Sequence, residues 1–429
     1  MTHIRLPGLL VAGALAISLA ACNNPKKETA ATETGATSVA ASADSSSTAA
    51  VPADVANFKS IAKRVVTQSA GVGEGDIVMV SGDVADLPLL EDIAVEVSKV
   101  GGYPLVSVGT EALSRRMYDE VPAKYDSQEP RLAKKLTEMV DVFISTDASE
   151  GRTLKGVPQE RQVARMKTFQ PVMAAMQKRG IRSVSLGNGL YPNAERAELF
   201  GMSRADLAKI MYGGIDADYS QLQTTSDGLR KTLIAGNELH ITSPAGTDLK
   251  VSIKGRPVQV SDGIISAEDR KRGAGATSVW LPAGEVYVTP VAGTAEGVVV
   301  ADHYFYQGQR IDGLKLEIKG GKLVSMTAKS GIEPLKSFYD ANGDGKEILG
   351  VVDMGINPAI KIPEGAPVNV WSRAGAVTIG VGNNTWAGGD NRSPFAVYPE
   401  VPKATLTIDG KELVKDGKLV GAVTVASQP

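Results

Sequence analysis

LPAGEVYVTP, residues 281–290, places a Pro-Ala-Gly turn directly before Glu285 and a short strand-forming run. Outward from it the same texture continues. LHITSP, LKVSIKGR, LKLEIKGGKLVSMTAKSG and ATLTIDGKELVKDGKLVG alternate apolar and polar residues between glycine turns. That is the pattern of an antiparallel, β-rich domain, expected over 229–429, with residues 333–339 as a short helix. Upstream the period changes. IVMVSG (77–82), LVSVG (105–109), VDVFIST (140–146) and IRSVSLG (181–187) are short β-branched runs. Leu89, Leu90, Ile93, Val97 and Val100 recur at helical spacing between the first two. Val163, Met166, Phe169, Val172 and Met176 do so between the last two, where the methionines read as core. Strands alternating with helices imply an α/β domain over 53–228 whose parallel sheet is covered on both faces. The body beyond residue 52, about 375 residues, exceeds one compact core, so two domains are expected.

LPAGEVYVTP and the run GGDNRS at 388–393 resemble the thermophilic metallo-aminopeptidases of the aminopeptidase T and aminopeptidase S type. GEGDIVMVSGDVADLPLLEDIAVEVSKVGGYPLVSV (73–108), YPNAERAELFGMSRADL (191–207) and PAGTDLKVSIKGRPVQVSDG (244–263) match the same family in the same order. The resemblance implies that fold, a homodimer, and a pair of metal ions held by a Glu in the first motif and a His-x-Asp beyond the second.

Glu285 keeps the first position, but the His and Asp positions fall on Ala396 and Tyr398. A further family glutamate, ahead of a Gly-x-Asn, falls on Val351. The first family His falls at or near Thr378, and the following Tyr at Thr385 or Trp386. No histidine follows His303 in any register. Alkyl groups donate no lone pair, and threonine is a poor zinc ligand beside imidazole or carboxylate. Asp353, His303 and Asp390 are the residues that could join Glu285 in a substituted site for one divalent transition metal. His303 stands in HYFY, where a packing role is the ordinary one. His240 reads as structural. Asp340, Asn342 and Asp344, with Gly345 as the turn glycine, form the first half of a calcium loop in 340–345. Its twelfth position is Val351, and Glu347 comes too early to replace the missing Glu.

Other chemistries lack their residues. GVGEG (71–75) precedes its strand instead of following one, unlike a dinucleotide loop. No Gly-x-Ser-x-Gly elbow occurs. A formal net charge of −2 and 5% aromatic residues carry no nucleic-acid footprint.

At the N-terminus, Arg5, an apolar stretch over 6–20 and Leu19-Ala20-Ala21-Cys22 have the shape of a lipoprotein signal (1–22). Cleavage would leave the chain's one cysteine, Cys22, at the new N-terminus for acylation, and several acyl chains anchor stably. The stretch is short for a membrane span. Asn23 and Asn24, with no Asp, point to outer-membrane sorting by resemblance to bacterial lipoproteins. Residues 23–52 read as a disordered Ala/Ser/Thr tether with a reach of ~30 Å. The expectation is therefore an envelope lipoprotein facing the periplasm, a non-catalytic peptide-binding or scaffold relative of the aminopeptidases that keeps a peptide-sized cleft. The alternatives are an active aminopeptidase with substituted ligands and a purely structural lipoprotein.

Overall fold

The chain opens as the periodicity predicts, with β1 (Ile77–Asp83), β2 (Tyr103–Gly109), β3 (Val142–Thr146) and β4 (Arg182–Leu186) alternating with helices. The computed structural model describes residues 57–147, 154, 156–363, 366 and 369–420. The signal, Cys22 and the tether lie outside the described residues. The helix Leu87–Lys99 buries Leu89, Leu90, Ile93 and Val97, the stripe read from spacing. It starts from a short turn whose Asp83 and Asp86 cap each other's backbone. The helix Gln159–Arg179 stops at Gly180, which takes the left-handed conformation. Its first half puts Val163 and Met166 into the main core. Its second half puts Val172 and Met176 against Met79 and Phe143 on the other side of the sheet.

Strands β5 (Glu238–Thr242), β6 (Asp248–Ser252), β7 (Val258–Ser261), β8 (Ser278–Leu281) and β9 (Glu285–Val288) follow. Next come β10 (Glu296–Tyr306), β11 (Gln309–Lys319) and β12 (Lys322–Thr327), then the helix Glu333–Ala341. The rest is β13 (Leu349–Gly355), β14 (Val377–Gly382), β15 (Ala396–Val397), β16 (Thr405–Ile408), β17 (Lys411–Lys415) and β18 (Lys418–Leu419). They form three sheets: a parallel one ordered β2-β1-β3-β4-β8, an eight-stranded one ordered β12-β11-β10-β6-β5-β16-β17-β18, and a five-stranded one ordered β15-β14-β13-β9-β7.

Two expectations need correction. The division at 228/229 falls inside the helix Tyr219–Ala235. The parallel sheet takes its fifth strand, β8, from beyond it, and one buried cluster runs through both halves. Local periodicity does not say which sheet a strand joins. The parallel sheet is also not covered throughout, because β2 lies at its edge and is mostly exposed. Among the described residues no helix is long and apolar enough to cross a membrane.

Candidate functional site

Glu285 opens β9 just after the chain leaves the parallel sheet at β8 and enters the five-stranded sheet. The Pro-Ala-Gly turn makes that step. Gly284 holds a φ of +121°, and a Cβ there would lie 2.9 Å from the Asn357 backbone nitrogen, so only glycine fits. The buried Asn357 amide clamps the turn by donating to the carbonyls of Ala283 (2.6 Å) and Gly214 (3.0 Å). The Gly-x-Asn at 355–357 therefore acts as a staple for the LPAG motif.

Register assigns the faces of this sheet. Glu285 stands opposite Gly355 and Ser261, Tyr287 opposite Asp353, Asp353 opposite Thr378, Val351 opposite Gly380, and Gly382 opposite Ala396. Residues directly opposite each other share a face, and alternate residues along a strand do too. One face thus carries Glu285, Tyr287, Val351, Asp353, Thr378 and Ala396. The other carries Val286, Val288, Val352, Met354, Ile379 and Val381, which join the main core.

The first face is packed with rings. Tyr287, Val351, Ala387, Ala396 and Tyr398 form one buried cluster with Trp280, Trp371 and Trp386, the chain's three tryptophans. Ring centroids lie 4.8 Å apart for Trp371 and Tyr398, and 5.1 Å for Tyr287 and Trp386. The Trp386 indole N–H donates to the Tyr398 hydroxyl (3.0 Å), which donates to the Asn383 carbonyl (2.9 Å). Gly380 leaves space for this packing, since a Cβ there would stand 2.5 Å from Val351 and 2.7 Å from the Tyr398 ring. Glu285 is fully buried and accepts from the Asn188 amide (3.0 Å), which also donates to the Pro282 carbonyl. Asp353 and Thr378 are each 1% exposed.

Residues 55–358 match the family described as thermophilic metalloprotease (M29). The chain belongs to the M29 family. It is 24% identical to the aminopeptidase PepS of Streptococcus thermophilus over 340 residues, which are 73% of this chain and 78% of that protein. Its fold is similar to that of wild-type AmpT from Thermus thermophilus, with a TM-score of 0.66, 18% identity, and coverage of 85% of this chain and 98% of the other. It is also similar in fold to 2,5-dihydroxypyridine dioxygenase from Pseudomonas putida KT2440, with a TM-score of 0.57, 14% identity and 86% and 98% coverage.

Within this M29 fold, Val351, Trp386, Ala396 and Tyr398 all converge on one cluster. The resemblance places family ligands at Val351, Ala396 and Tyr398, and a further one at Thr385 or Trp386. Of these, Val351, Trp386, Ala396 and Tyr398 are packed in the cluster, while Thr378, at or near the first family His, shares its face. The remaining donors do not fit a dinuclear centre, and no chemistry is derived through one. Of the substituted set, Glu285 and Asp353 share the face. His303 lies in the eight-stranded sheet opposite Asp312, half-buried, with its ring 5.7 Å from Phe305. Asp390 is exposed, and its neighbour Asn391 is the built-in residue, donating to Gly345 (2.7 Å) and Gly382 (2.8 Å). Among the described residues no group of three or more His, Cys, Asp or Glu side chains is placed to hold a metal ion. His240 sits 2.8 Å from Asp248 on the exposed side of its hairpin.

The 340–345 segment is not shaped as a calcium loop. Asp340 is still within the helix, and the buried Asn342 turns back to donate to Phe338 (2.7 Å). Capping the helix removes from the loop a side chain that a calcium site needs at alternate positions. Among the described residues the pocket beside the cluster is smaller than the expected peptide-sized cleft. The cavity there, lined by Arg196, Phe200, Tyr304, Asn369, Trp371 and Tyr398, has a volume of about 20 Å³. That is room for about one water molecule. Sequence reading missed Asn188 and Trp280. Asn188, in the left-handed conformation at φ 40°, had a signal in the Gly-Asn-Gly after a strand. Trp280 had none, since it reaches the cluster only through the β4–β8 pairing.

Proposed function

We propose that this chain is a lipid-anchored, non-catalytic member of the M29 family that serves the cell envelope as a scaffold. The observation that carries the non-catalytic reading is the aromatic cluster on Val351, Trp386, Ala396 and Tyr398. A zinc catalyst needs three protein ligands and an open position, and a dinuclear one needs groups holding two ions ~3.5–4 Å apart. Buried rings supply neither. The fold by itself does not name a reaction, since the sequence relative PepS is an aminopeptidase and a structural neighbour is a dioxygenase. Anchoring rests on Leu19-Ala20-Ala21-Cys22, and the outer membrane, facing the periplasm, on Asn23 and Asn24.

The test is turnover. Purified protein supplied with zinc, cobalt or manganese is expected to release no amino acid from peptides with free N-termini. Glu285, the kept family position, with Asp353 on the same face as a replacement ligand, is the one observation favouring an active enzyme with substituted ligands. Turnover lost in Glu285→Ala would establish that reading instead. Radiolabelled palmitate should enter the chain and fail to enter Cys22→Ser.

A further inference from the structure

The exposed apolar side chains of this molecule gather on one rim. Ten of the twelve large ones among the described residues lie between Val84 and Met139, while Ile234 and Val324 stand on other elements. The centre of the group is β2, where Tyr103 is 66%, Leu105 39%, Val106 39% and Val108 40% exposed. Tyr103 and Leu105 stand opposite Ile77 and Met79, on the side of the helix Arg131–Met139, whose Met139 is exposed. Val106 and Val108 stand opposite Val80 and Gly82, on the side of the helix Leu87–Lys99, whose Val95 is exposed. β2 ends the sheet order, and YPLVSVG carries no charge. Apolar groups exposed on both faces of a terminal strand make a ridge instead of a groove.

The chain enters the described residues beside this ridge. Asn57 caps the helix Phe58–Arg64, and the Phe58 ring lies 5.7 Å from that of Tyr212. Burial and then the nearby Asp86 carboxylate push the Tyr212 hydroxyl up. Asp86 follows directly on β1, whose Asp83 pairs with Gly109 at the end of β2. Everything before Asn57, Cys22 included, is therefore attached at the end of the sheet where β2 finishes.

We infer that this ridge is a membrane-docking edge, through which the body rests on a zwitterionic phospholipid bilayer by Tyr103, Leu105, Val106 and Val108. The inference rests on the lipid anchor proposed above, which holds the body beside a bilayer at high effective concentration, so a small apolar area is enough. Interfacial binding scales with buried apolar area plus attraction to lipid charge. The second part is absent here, because Lys134 and Lys135 are exposed alongside Glu138 on one flanking helix and Glu91 is exposed on the other. Neutral headgroups fit such a mixed border. A phenol like that of Tyr103 settles at headgroup level, its ring toward the acyl chains and its hydroxyl in water. The open backbone sets the depth. The Tyr103 N–H donates inward to the Asp76 carbonyl at 2.8 Å, so strand alternation turns the Val106 and Val108 amides outward. Unpaired amides stay out of hydrocarbon. The strand therefore lies among hydrated headgroups, and only its side chains go deeper.

Hydrogen exchange on the chain as the proposed cleavage leaves it, beginning at Cys22, tests this. The chain is coupled through Cys22, its one thiol, to a maleimide lipid in phosphatidylcholine vesicles. The reference is the same chain coupled to soluble maleimide-polyethylene glycol. Chemical coupling makes the result independent of whether cells acylate Cys22, which the palmitate label decides. On vesicles the Val106 and Val108 amides should exchange about tenfold more slowly than in the reference. Val106→Lys should remove the protection of Val108, and Val324→Lys, on β12, should keep it. Both variants should retain the far-ultraviolet circular dichroism of the parent. Equal exchange on vesicles and in solution overturns the proposal, as does protection that survives Val106→Lys. Val106 and Val108 amides already protected in the soluble reference overturn it too, because a strand and not lipid then covers the edge.

Discussion

The aromatic face of the five-stranded sheet and the outer edge of the parallel sheet are both rich in apolar side chains, yet one is sealed and the other open. On the first, residues brought together from positions 280 to 398 leave a neighbouring cavity of about 20 Å³. On the second, four apolar residues of one strand are 39–66% exposed. The difference teaches how the same apolar residue types serve as core in one sheet and as surface in another. The aromatic face belongs to the core, under the same close packing as any interior. The edge of the parallel sheet keeps an unpaired backbone and apolar surface.

Substitutions can break that contrast, and the largest effect is expected at the sealed face. Trp386 is 1% exposed and touches Trp280, Trp371, Tyr287 and Tyr398. Trp386→Ala should cost ~4 kcal/mol in urea unfolding. A loss below 1 kcal/mol would mean that the face is loosely filled and still a cleft. Next comes putting ligands back. Ala396→His with Tyr398→Asp buries polar groups in the apolar cluster and breaks the Trp386–Tyr398 hydrogen bond, at a cost of roughly 3 kcal/mol. No stoichiometric zinc should appear by elemental analysis, because Val351 and the three tryptophan rings stay in place. Two zinc equivalents in this variant would show the centre to be latent.

A smaller effect tests whether the C-terminal end of the parallel sheet, where Asp86 meets Thr146, is dry. Asp86 lies in the short turn after β1, accepts from Thr146 and the Asp83 amide, and is pushed up to about 7, chiefly by burial. Its folded value lies above the unfolded one, so the folded state holds the proton between about pH 4 and 7. This contribution is full below the unfolded value and is lost as pH rises through the folded one. Stability should therefore fall by ~2 kcal/mol between pH 4 and 7 relative to Asp86→Asn, measured as paired unfolding curves. Coincident slopes in parent and variant would place water at Asp86. The smallest effect belongs to the edge itself. Val106→Lys should leave the unfolding free energy per chain within ~0.5 kcal/mol. A larger loss would make Val106 core rather than surface.

Much of this was legible in the chain. The helix stripes of Leu89-Leu90-Ile93-Val97 and Val163-Met166-Val172-Met176 are buried where spacing put them, because a 3.6-residue period is a local property. The ordered motifs carried the M29 kinship, which the family match over 55–358 bears out. Absent imidazoles after His303 need no coordinates, since a residue type that is missing cannot ligate in any fold. Tertiary structure alone decided the rest. LVSVG reads the same whether a strand is central or at an edge, and only the order β2-β1-β3-β4-β8 leaves β2 open. Asp340, Asn342 and Asp344 have calcium-loop spacing, but the helix runs on past Asp340 and draws Asn342 in as its cap. Trp280, Trp371 and Trp386 come from separate elements and meet on one face of the five-stranded sheet. Their meeting depends on β8 joining one sheet and β9 another, a matter of long-range register that no local period encodes.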